Sequence, residues 1–283
     1  MISELKKAFQ ISFDNLILST PPLVFIIFNL VYFSLAQNSV KTHYSAILYL
    51  VILILTISFF ISGWAYMVIV SIFNYKNGIS YSKSSDSFKL LKEFPVGVSD
   101  YFKKSLTLTV VSLFLWNIVL YSCFLFNMKV FGDLEISIPK LIDSFSSLIA
   151  LQNFCEHLTQ TQILQLTGWT ITTIICIVAF GLFTILWPLE IFYKRKKVLD
   201  ALFVSAKKVS TQPKFILLYL IICFINLIFI FLNIISFVNP IASFFMTLTY
   251  FYFIVYIFVL LFLYYEDKIQ SYSNSSTDSN RKN

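Results

Sequence analysis

Few side chains in this sequence have the type and spacing to act as acids, bases, nucleophiles or metal ligands. Hydrolysis and phosphoryl transfer need a general base, a metal site or a phosphate-binding glycine loop. The chain has two histidines and six glycines, and no glycine lies in a phosphate-loop pattern. Glu156 and His157 come nearest to an acid–base pair, but adjacent helical residues do not face each other. We predict no catalytic residue, no metal and no cofactor. An intramembrane enzyme that uses His43, His157 and Glu190 is an alternative.

Glu190 is an acidic residue near the end of the fourth long apolar run, two positions after Pro188. Because proline lacks a backbone donor, it opens the helix around it, and the two residues could gate a path for a substrate. Alternatively, Glu190 pairs with lysines of the cluster at 194–197 that follows. Such pairing would offset the cost of removing the carboxylate from water.

Four polar residues follow one face of the fifth apolar run: Tyr219, Cys223, Asn226 and Asn233. Their steps of four, three and seven positions keep them on one side of a helix. A stripe of this kind can line a groove for a lipid headgroup or a peptide, or it can form hydrogen bonds between packed helices. The groove would suit a transporter or lipid-moving protein, which is the alternative function. The hydrogen bonds would be purely structural.

A basic cluster surrounds the segment between the fourth and fifth runs, and its members are Lys194, Arg195, Lys196, Lys197, Lys207 and Lys208. Lysine and arginine near an anionic membrane surface contribute about 1 kcal/mol each, so we predict contacts with anionic phospholipid headgroups. The same residues would also set the topology. The net charge of +7 does not indicate a nucleic-acid partner, because the basic residues flank apolar runs. The leading hypothesis is a non-enzymatic envelope component that binds lipid, a membrane protein partner or a second copy of the chain.

Composition indicates that lipid is the main solvent of this protein. Hydrophobic residues make up 58% of the chain and charged residues 12%, whereas soluble domains have about half apolar and a quarter charged residues. About 20 apolar residues suffice to cross a bilayer as a helix. We predict an all-α polytopic membrane protein with one membrane-embedded domain, residues 1–268, and a disordered tail at 269–283. Its six transmembrane helices form three hairpins, with spans at 23–36, 46–73, 105–127, 166–193, 215–237 and 241–265.

Amphipathic segments connect the predicted spans. Residues 1–18 and Val198–Val209 carry apolar side chains at helical spacing with charged side chains opposite, so we expect both to lie in the membrane plane. The prolines at 21 and 22 should separate the first segment from the first span. Pro95-Val96-Gly97 should interrupt the connection before the third span. Another amphipathic helix is expected at Pro139–Leu151.

The distribution of positive charge predicts the orientation. With both termini on one side, all but Lys41, Lys129 and Lys140 of the 21 lysines and arginines fall on that side. Loops rich in these residues stay in the cytoplasm. We therefore predict a multi-pass protein of the inner, or cytoplasmic, cell membrane, with cytoplasmic termini and in-plane helices. A signal peptide cleaved near Ala36 is an alternative, but the acidic, amphipathic residues before it do not match a signal n-region.

A lysine pair within an amphipathic segment precedes each pair of spans, at Lys6-Lys7, Lys103-Lys104 and Lys207-Lys208. Residues 8–12 also align with 201–205, since both begin with alanine and end with serine. The pattern suggests internal duplication. The alternative is that every interfacial helix needs a similar composition.

The run Trp187-Pro188-Leu189-Glu190, followed by Ala201-Leu202, Ser205 and Val209, resembles the signature of a broad group of uncharacterised six-span bacterial membrane proteins. That group is related to the membrane domain that precedes the catalytic domain in some glycerophosphodiester phosphodiesterases. The resemblance implies interfacial helices followed by hairpins in a bacterial inner membrane. It does not imply phosphodiesterase activity, because that chemistry belongs to a separate soluble barrel for which this chain has no room.

Overall fold

The computed structural model describes residues 2–39, 42–79, 84–133, 144, 148–236 and 239–270. Within these ranges the chain is helical and forms no β-strand. Six of the described helices are long and apolar enough to cross a membrane, which confirms the predicted all-α, six-span architecture. Most of the helix predicted at Pro139–Leu151 and nearly all of the tail predicted at 269–283 lie outside the described residues.

The structure contains these helices, in chain order: α1 (Ile2–Asp14), α2 (Thr20–Ser39), α3 (His43–Lys76), α4 (Ser84–Leu91), α5 (Glu93–Phe131), α6 (Leu148–Glu156), α7 (Gln160–Thr184), α8 (Trp187–Lys194), α9 (Val198–Ser210), α10 (Pro213–Ser236) and α11 (Pro240–Tyr264). A 3₁₀ turn, Leu16–Ser19, joins α1 to α2, and a π-helical turn, Tyr265–Gln270, follows α11. The long helices form three hairpins: α2 with α3, α5 with α7, and α10 with α11.

The structure differs from the predicted boundaries around prolines. The break expected at Pro95-Val96-Gly97 is wrong, because α5 begins at Glu93 and continues to Phe131. Pro95 falls in the first turn of α5, where a backbone donor would have no acceptor within the helix. Pro21 and Pro22 likewise lie in the first turn of α2, which begins at Thr20.

The fourth predicted span, 166–193, is two helices in the structure. α7 ends at Thr184 and α8 begins at Trp187, so the helix is interrupted just before Pro188. Pro188 occupies the second position of α8, where its missing donor costs nothing. α8 contacts both α5 and α9.

One end of the bundle is tightly packed. The buried residues of α3 lie between Ser58 and Asn74, in its second half, and those of α11 lie between Val255 and Tyr264. Buried side chains of α1, α8 and α9 belong to the hydrophobic clusters at this end. The opposite halves of the hairpins expose many Leu, Ile and Phe side chains, as expected of helices surrounded by lipid. We call the first region the packed end.

The three hairpins are joined in a ring at the packed end. Each is preceded by a segment that packs on the last helix of the hairpin before it: the start of α5 on α3, α9 on α7 and α8, and α1 on α11. In each segment a buried serine follows another buried residue by four positions, and these pairs are Ala8 and Ser12, Tyr101 and Ser105, and Ala201 and Ser205. The lysine-pair repeat of the sequence therefore has a counterpart in the packing.

Candidate functional site

The interruption between α7 and α8 is held together by α9. The Ser205 hydroxyl donates a hydrogen bond to the Phe183 carbonyl in the last turn of α7, at 2.8 Å. The Trp187 indole N–H donates to the Val198 carbonyl, at 2.6 Å, where α9 begins. Ala201 is fully buried on the same face of α9. Residues of the motif noted in the sequence thus lie together in one unit, formed by α8, the turn at 195–197 and α9.

The indole of Trp187 should be important for holding α9 against α8. Replacing Trp187 with phenylalanine is expected to lower the free energy of unfolding by about 2 kcal/mol, because one hydrogen bond and part of a buried ring are lost. Trypsin should then cleave faster in the basic turn at 194–197. Trp169 is the control, since its indole N–H has no partner among the described residues. A Trp169→Phe change that accelerates cleavage equally would contradict the assignment.

Glu190 is the buried charge at the centre of the unit. Its side chain is 0% exposed, Lys208 of α9 donates a hydrogen bond to its Oε1, and Lys196 Nζ lies 3.4 Å from its Oε2. Lys208 also donates to the Tyr265 hydroxyl, at 3.3 Å, and its ammonium lies 4.9 Å from the centre of that ring. Two lysines therefore offset the desolvation of one carboxylate. This geometry supports the pairing interpretation of Glu190 over a gate formed with Pro188.

A second set of charged residues adjoins the first at the end of α11. Lys76 Nζ, at the end of α3, lies 3.0 Å from Glu266 and 2.6 Å from Asp267. The Tyr193 hydroxyl of α8 donates to Glu266, at 3.2 Å, and the Tyr193 ring stacks on Tyr265. Polar and aromatic contacts therefore run from α9 through α8 to α3. Because the side chains of Lys76, Glu266 and Asp267 are partly exposed, we expect these ion pairs to contribute little individually.

The six basic residues predicted to contact lipid fall into two groups. Lys196 and Lys208 face Glu190 and take part in its neutralisation. Lys194, in the last turn of α8, is half-buried. The exposed members are Arg195, Lys197 and Lys207. Of the six residues predicted to contact lipid, these three have exposed side chains, which lie in the turn after α8 and on the outer face of α9.

Comparison of the chain with protein-family models, with curated proteins and with solved structures finds no match. The resemblance based on Trp187-Pro188-Leu189-Glu190 and Ser205 therefore stays a prediction. What the structure adds is the contacts that these residues make.

The predicted polar stripe on α10 takes part in helix packing. Tyr219 donates a hydrogen bond to a backbone carbonyl of α7, at 3.0 Å, and Asn226 accepts one from Tyr250 of α11, at 3.3 Å. Cys223 is half-buried on the same helix, and the side chain of Asn233 lies outside the described part. The observed bonds join α10 to its neighbours on two sides. They support the structural interpretation of the stripe over an open groove.

The residues with catalytic potential are dispersed. His43 begins α3, at the end opposite to the packed end, and Glu156 ends α6, where it accepts a hydrogen bond from Gln152 at 2.9 Å. Across the described ranges, no group of three His, Cys, Asp or Glu side chains is arranged to hold a metal ion. The absence of enzymatic activity stays a prediction.

Sequence analysis missed the partners of the basic cluster that come from α11 and α3. None of Tyr265, Glu266, Asp267 and Lys76 was expected beside the basic cluster. One feature of the sequence could have indicated these contacts. The acidic pair Glu266-Asp267 directly follows the sixth predicted span, on the side with excess positive charge. Such a pair is expected to find basic partners among nearby helix ends.

Proposed function

We propose that this protein is a non-enzymatic component of a cell membrane that binds anionic phospholipids through its packed end. The observation that carries the proposal is the excess of positive charge at the packed end. This excess stays after the lysines that form ion pairs with buried or nearby carboxylates are set aside. Lys196, Lys208 and Lys76 neutralise the nearby carboxylates. The exposed basic residues that stay at this end are Lys6, Lys92, Lys103, Arg195, Lys197, Lys207 and Lys214, and they outnumber the exposed acidic residues Asp100 and Asp200. At the opposite end of the described chain, Lys129 is the exposed lysine.

Exposed apolar side chains accompany these charges on α9. Leu199 and Phe203 are 58% and 74% exposed, and they precede Lys207 by eight and four positions, which places all three on one helical face. α1 likewise exposes Phe9 and Phe13. A helix with exposed apolar residues beside lysine can insert the former among acyl chains while the latter contacts phosphate. This arrangement supports lipid binding at the membrane surface.

The proposed orientation follows from the same charges. Segments rich in lysine and arginine stay in the cytoplasm, so α1, α9 and the turn after α11 would face the cytoplasmic leaflet. That leaflet carries the negative surface potential that attracts basic residues. We assign the protein to the inner membrane of a bacterial cell on this ground and on the motif resemblance described above.

The proposal predicts a defined loss of affinity for phosphatidylglycerol. The double variant Lys197→Gln/Lys207→Gln should bind this lipid about 30-fold more weakly, because each lysine contributes about 1 kcal/mol. Native mass spectrometry of the detergent-purified protein, titrated with phosphatidylglycerol, measures the affinity. Binding of phosphatidylcholine should not change.

Lys129→Gln is the matched control for that experiment. It removes an exposed lysine from the end opposite to the packed end, so it should leave phosphatidylglycerol binding unchanged. If the double variant binds phosphatidylglycerol as tightly as the original protein, the proposed role of the basic face is wrong.

A further inference from the structure

The packed end has a second polar site, formed by α1 and the end of α3. A cavity of about 140 Å³ lies there, and the residues that give it polar character are Gln10, Asp14, Asn15, Ser71 and Tyr75. Its described lining contains one carboxylate and no lysine or arginine. The cavity therefore differs in charge from the basic surface around it.

Asn15 is the residue that points to a ligand. Its side chain is 6% exposed, and its amide nitrogen donates a hydrogen bond to the Ile11 carbonyl at 2.9 Å. Its Oδ1 is buried and has no hydrogen-bond partner among the described residues. Native proteins seldom leave a buried polar atom unsatisfied. An unsatisfied acceptor in the wall of a cavity is explained by a bound group that donates a hydrogen bond.

Apart from the Gln10 amide nitrogen, which is a donor, the other polar groups of the cavity can also act as acceptors. The Tyr75 hydroxyl donates to Gln10 Oε1, at 3.1 Å, and the Ser71 hydroxyl donates to the Val68 carbonyl, at 2.8 Å. Both hydroxyl hydrogens are therefore used, whereas both hydroxyl oxygens can still accept. The Asp14 carboxylate adds a negative charge, and the Tyr75 ring offers a face that attracts cations. A positively charged ligand with several N–H donors matches this set.

We propose that the cavity binds the primary ammonium group of an ethanolamine phospholipid. An ammonium carries one positive charge and three donors, which would satisfy Asp14, Asn15 and one hydroxyl oxygen. Exposed Lys6 lies one turn before Gln10 on α1, about 6 Å along the helix axis, where it can contact the phosphate of the same headgroup. Exposed Phe9 and Phe13 place α1 at the lipid surface. The cavity would thus be occupied from the membrane.

Comparing the affinities for phosphatidylethanolamine and phosphatidylcholine shows whether the cavity binds the headgroup through hydrogen bonds or only through its positive charge. The choline headgroup carries the same charge but has no N–H donor. By native mass spectrometry, the detergent-purified protein should bind phosphatidylethanolamine about tenfold more tightly than phosphatidylcholine. Equal affinity for the two lipids would overturn the proposal and leave the cavity to water or to a small cation.

Asp14→Asn tests the site itself, because it removes the charge with little change in shape. The affinity for phosphatidylethanolamine should fall about tenfold in this variant, and its preference over phosphatidylcholine should shrink, because a charged acceptor is replaced by a neutral one. Asp200→Asn, at an exposed position in the first turn of α9, should leave the preference intact. An unchanged preference in Asp14→Asn would overturn the assignment. If that variant does not fold, the comparison of the two lipids on the original protein still decides.

Competition with glycerophosphoethanolamine, which lacks acyl chains, shows whether the bound ammonium belongs to a lipid or to a soluble compound. Much weaker binding of this soluble compound supports a lipid ligand, whereas equal binding overturns the lipid assignment in favour of a soluble ammonium compound. The two proposals share Lys6 but can be tested separately, because Lys197 and Lys207 are not part of the cavity. The double variant at these lysines should keep its preference for phosphatidylethanolamine even where phosphatidylglycerol binding is lost.

Discussion

Replacing Lys208 with methionine is expected to lower the free energy of unfolding by about 3 kcal/mol. Glu190 is fully buried, and the substitution removes the ammonium that donates to its Oε1. Breaking a buried ion pair leaves one charge uncompensated, which costs about 3–5 kcal/mol. Lys196, 3.4 Å from the other oxygen, keeps the expected loss near the lower limit. Unfolding by SDS in mixed micelles, followed by tryptophan fluorescence, measures the change.

The burial of the Lys208 ammonium also indicates that its charge depends strongly on Glu190. Burial lowers the pKa of the Lys208 ammonium, while the hydrogen bond to Glu190 acts in the opposite direction. The ammonium has therefore lost part of its hydration and has gained the carboxylate in exchange. Each member of the pair stabilises the charge of the other, so neither can be removed alone without a cost.

Lys207→Met is the control, because it makes the same change one position earlier on the exposed face of α9. It should alter the free energy of unfolding by no more than about 0.5 kcal/mol. Adding Glu190→Gln to Lys208→Met should recover part of the lost stability, since the uncompensated charge is then gone. Equal effects of the Lys207 and Lys208 substitutions would refute the role of the Glu190 pair.

The spans were predictable because a helix that crosses a bilayer needs about 20 consecutive apolar residues, and such a run can be recognised without knowing the rest of the fold. Six helices of the described chain are long and apolar enough to cross a membrane, as predicted. The helix ends were less predictable, because tertiary packing extends helices through polar segments. α5 begins at Glu93 and not near 105, since its first turns pack against α3. Pro188 was expected to open the helix, but the fourth span was predicted as one helix, 166–193, and the contacts that α9 makes with α7 and α8 at their junction were not foreseen.

The candidate site was predictable in part. The sequence indicated that Glu190 would lie near lysines, but it did not show which lysines turn inward. The spacing of residues in α9 could have shown it, because Lys208 lies on the same helical face as Ala201 and Ser205. The partners from α11 could not be inferred in this way. Lys76 and Asp267 are 191 positions apart, and only the ring of hairpins brings them together.

Replacing Gly97 with valine is expected to cost about 3 kcal/mol of stability, because at this position α5 lies directly against α3. A Cβ atom at Gly97 would lie 2.4 Å from the Cβ of Tyr66 and 3.0 Å from the carbonyl oxygen of Ser62. Neither atom can move unless the two helices separate. Gly97 was expected to interrupt a helix, whereas in the structure it permits close contact between two helices. The same SDS titration measures the loss.

Gly168→Val provides the matched comparison within α7. A Cβ atom at Gly168 would lie 2.5 Å from the ring of Phe131, and that ring belongs to the last residue of α5, where a side chain can rotate away at small cost. We therefore expect a loss below about 1 kcal/mol at Gly168. If both substitutions destabilise the protein equally, side-chain crowding explains the effect at Gly97. A loss confined to Gly97 instead supports backbone contact between α3 and α5, on which the position of α8 and its Glu190 depends.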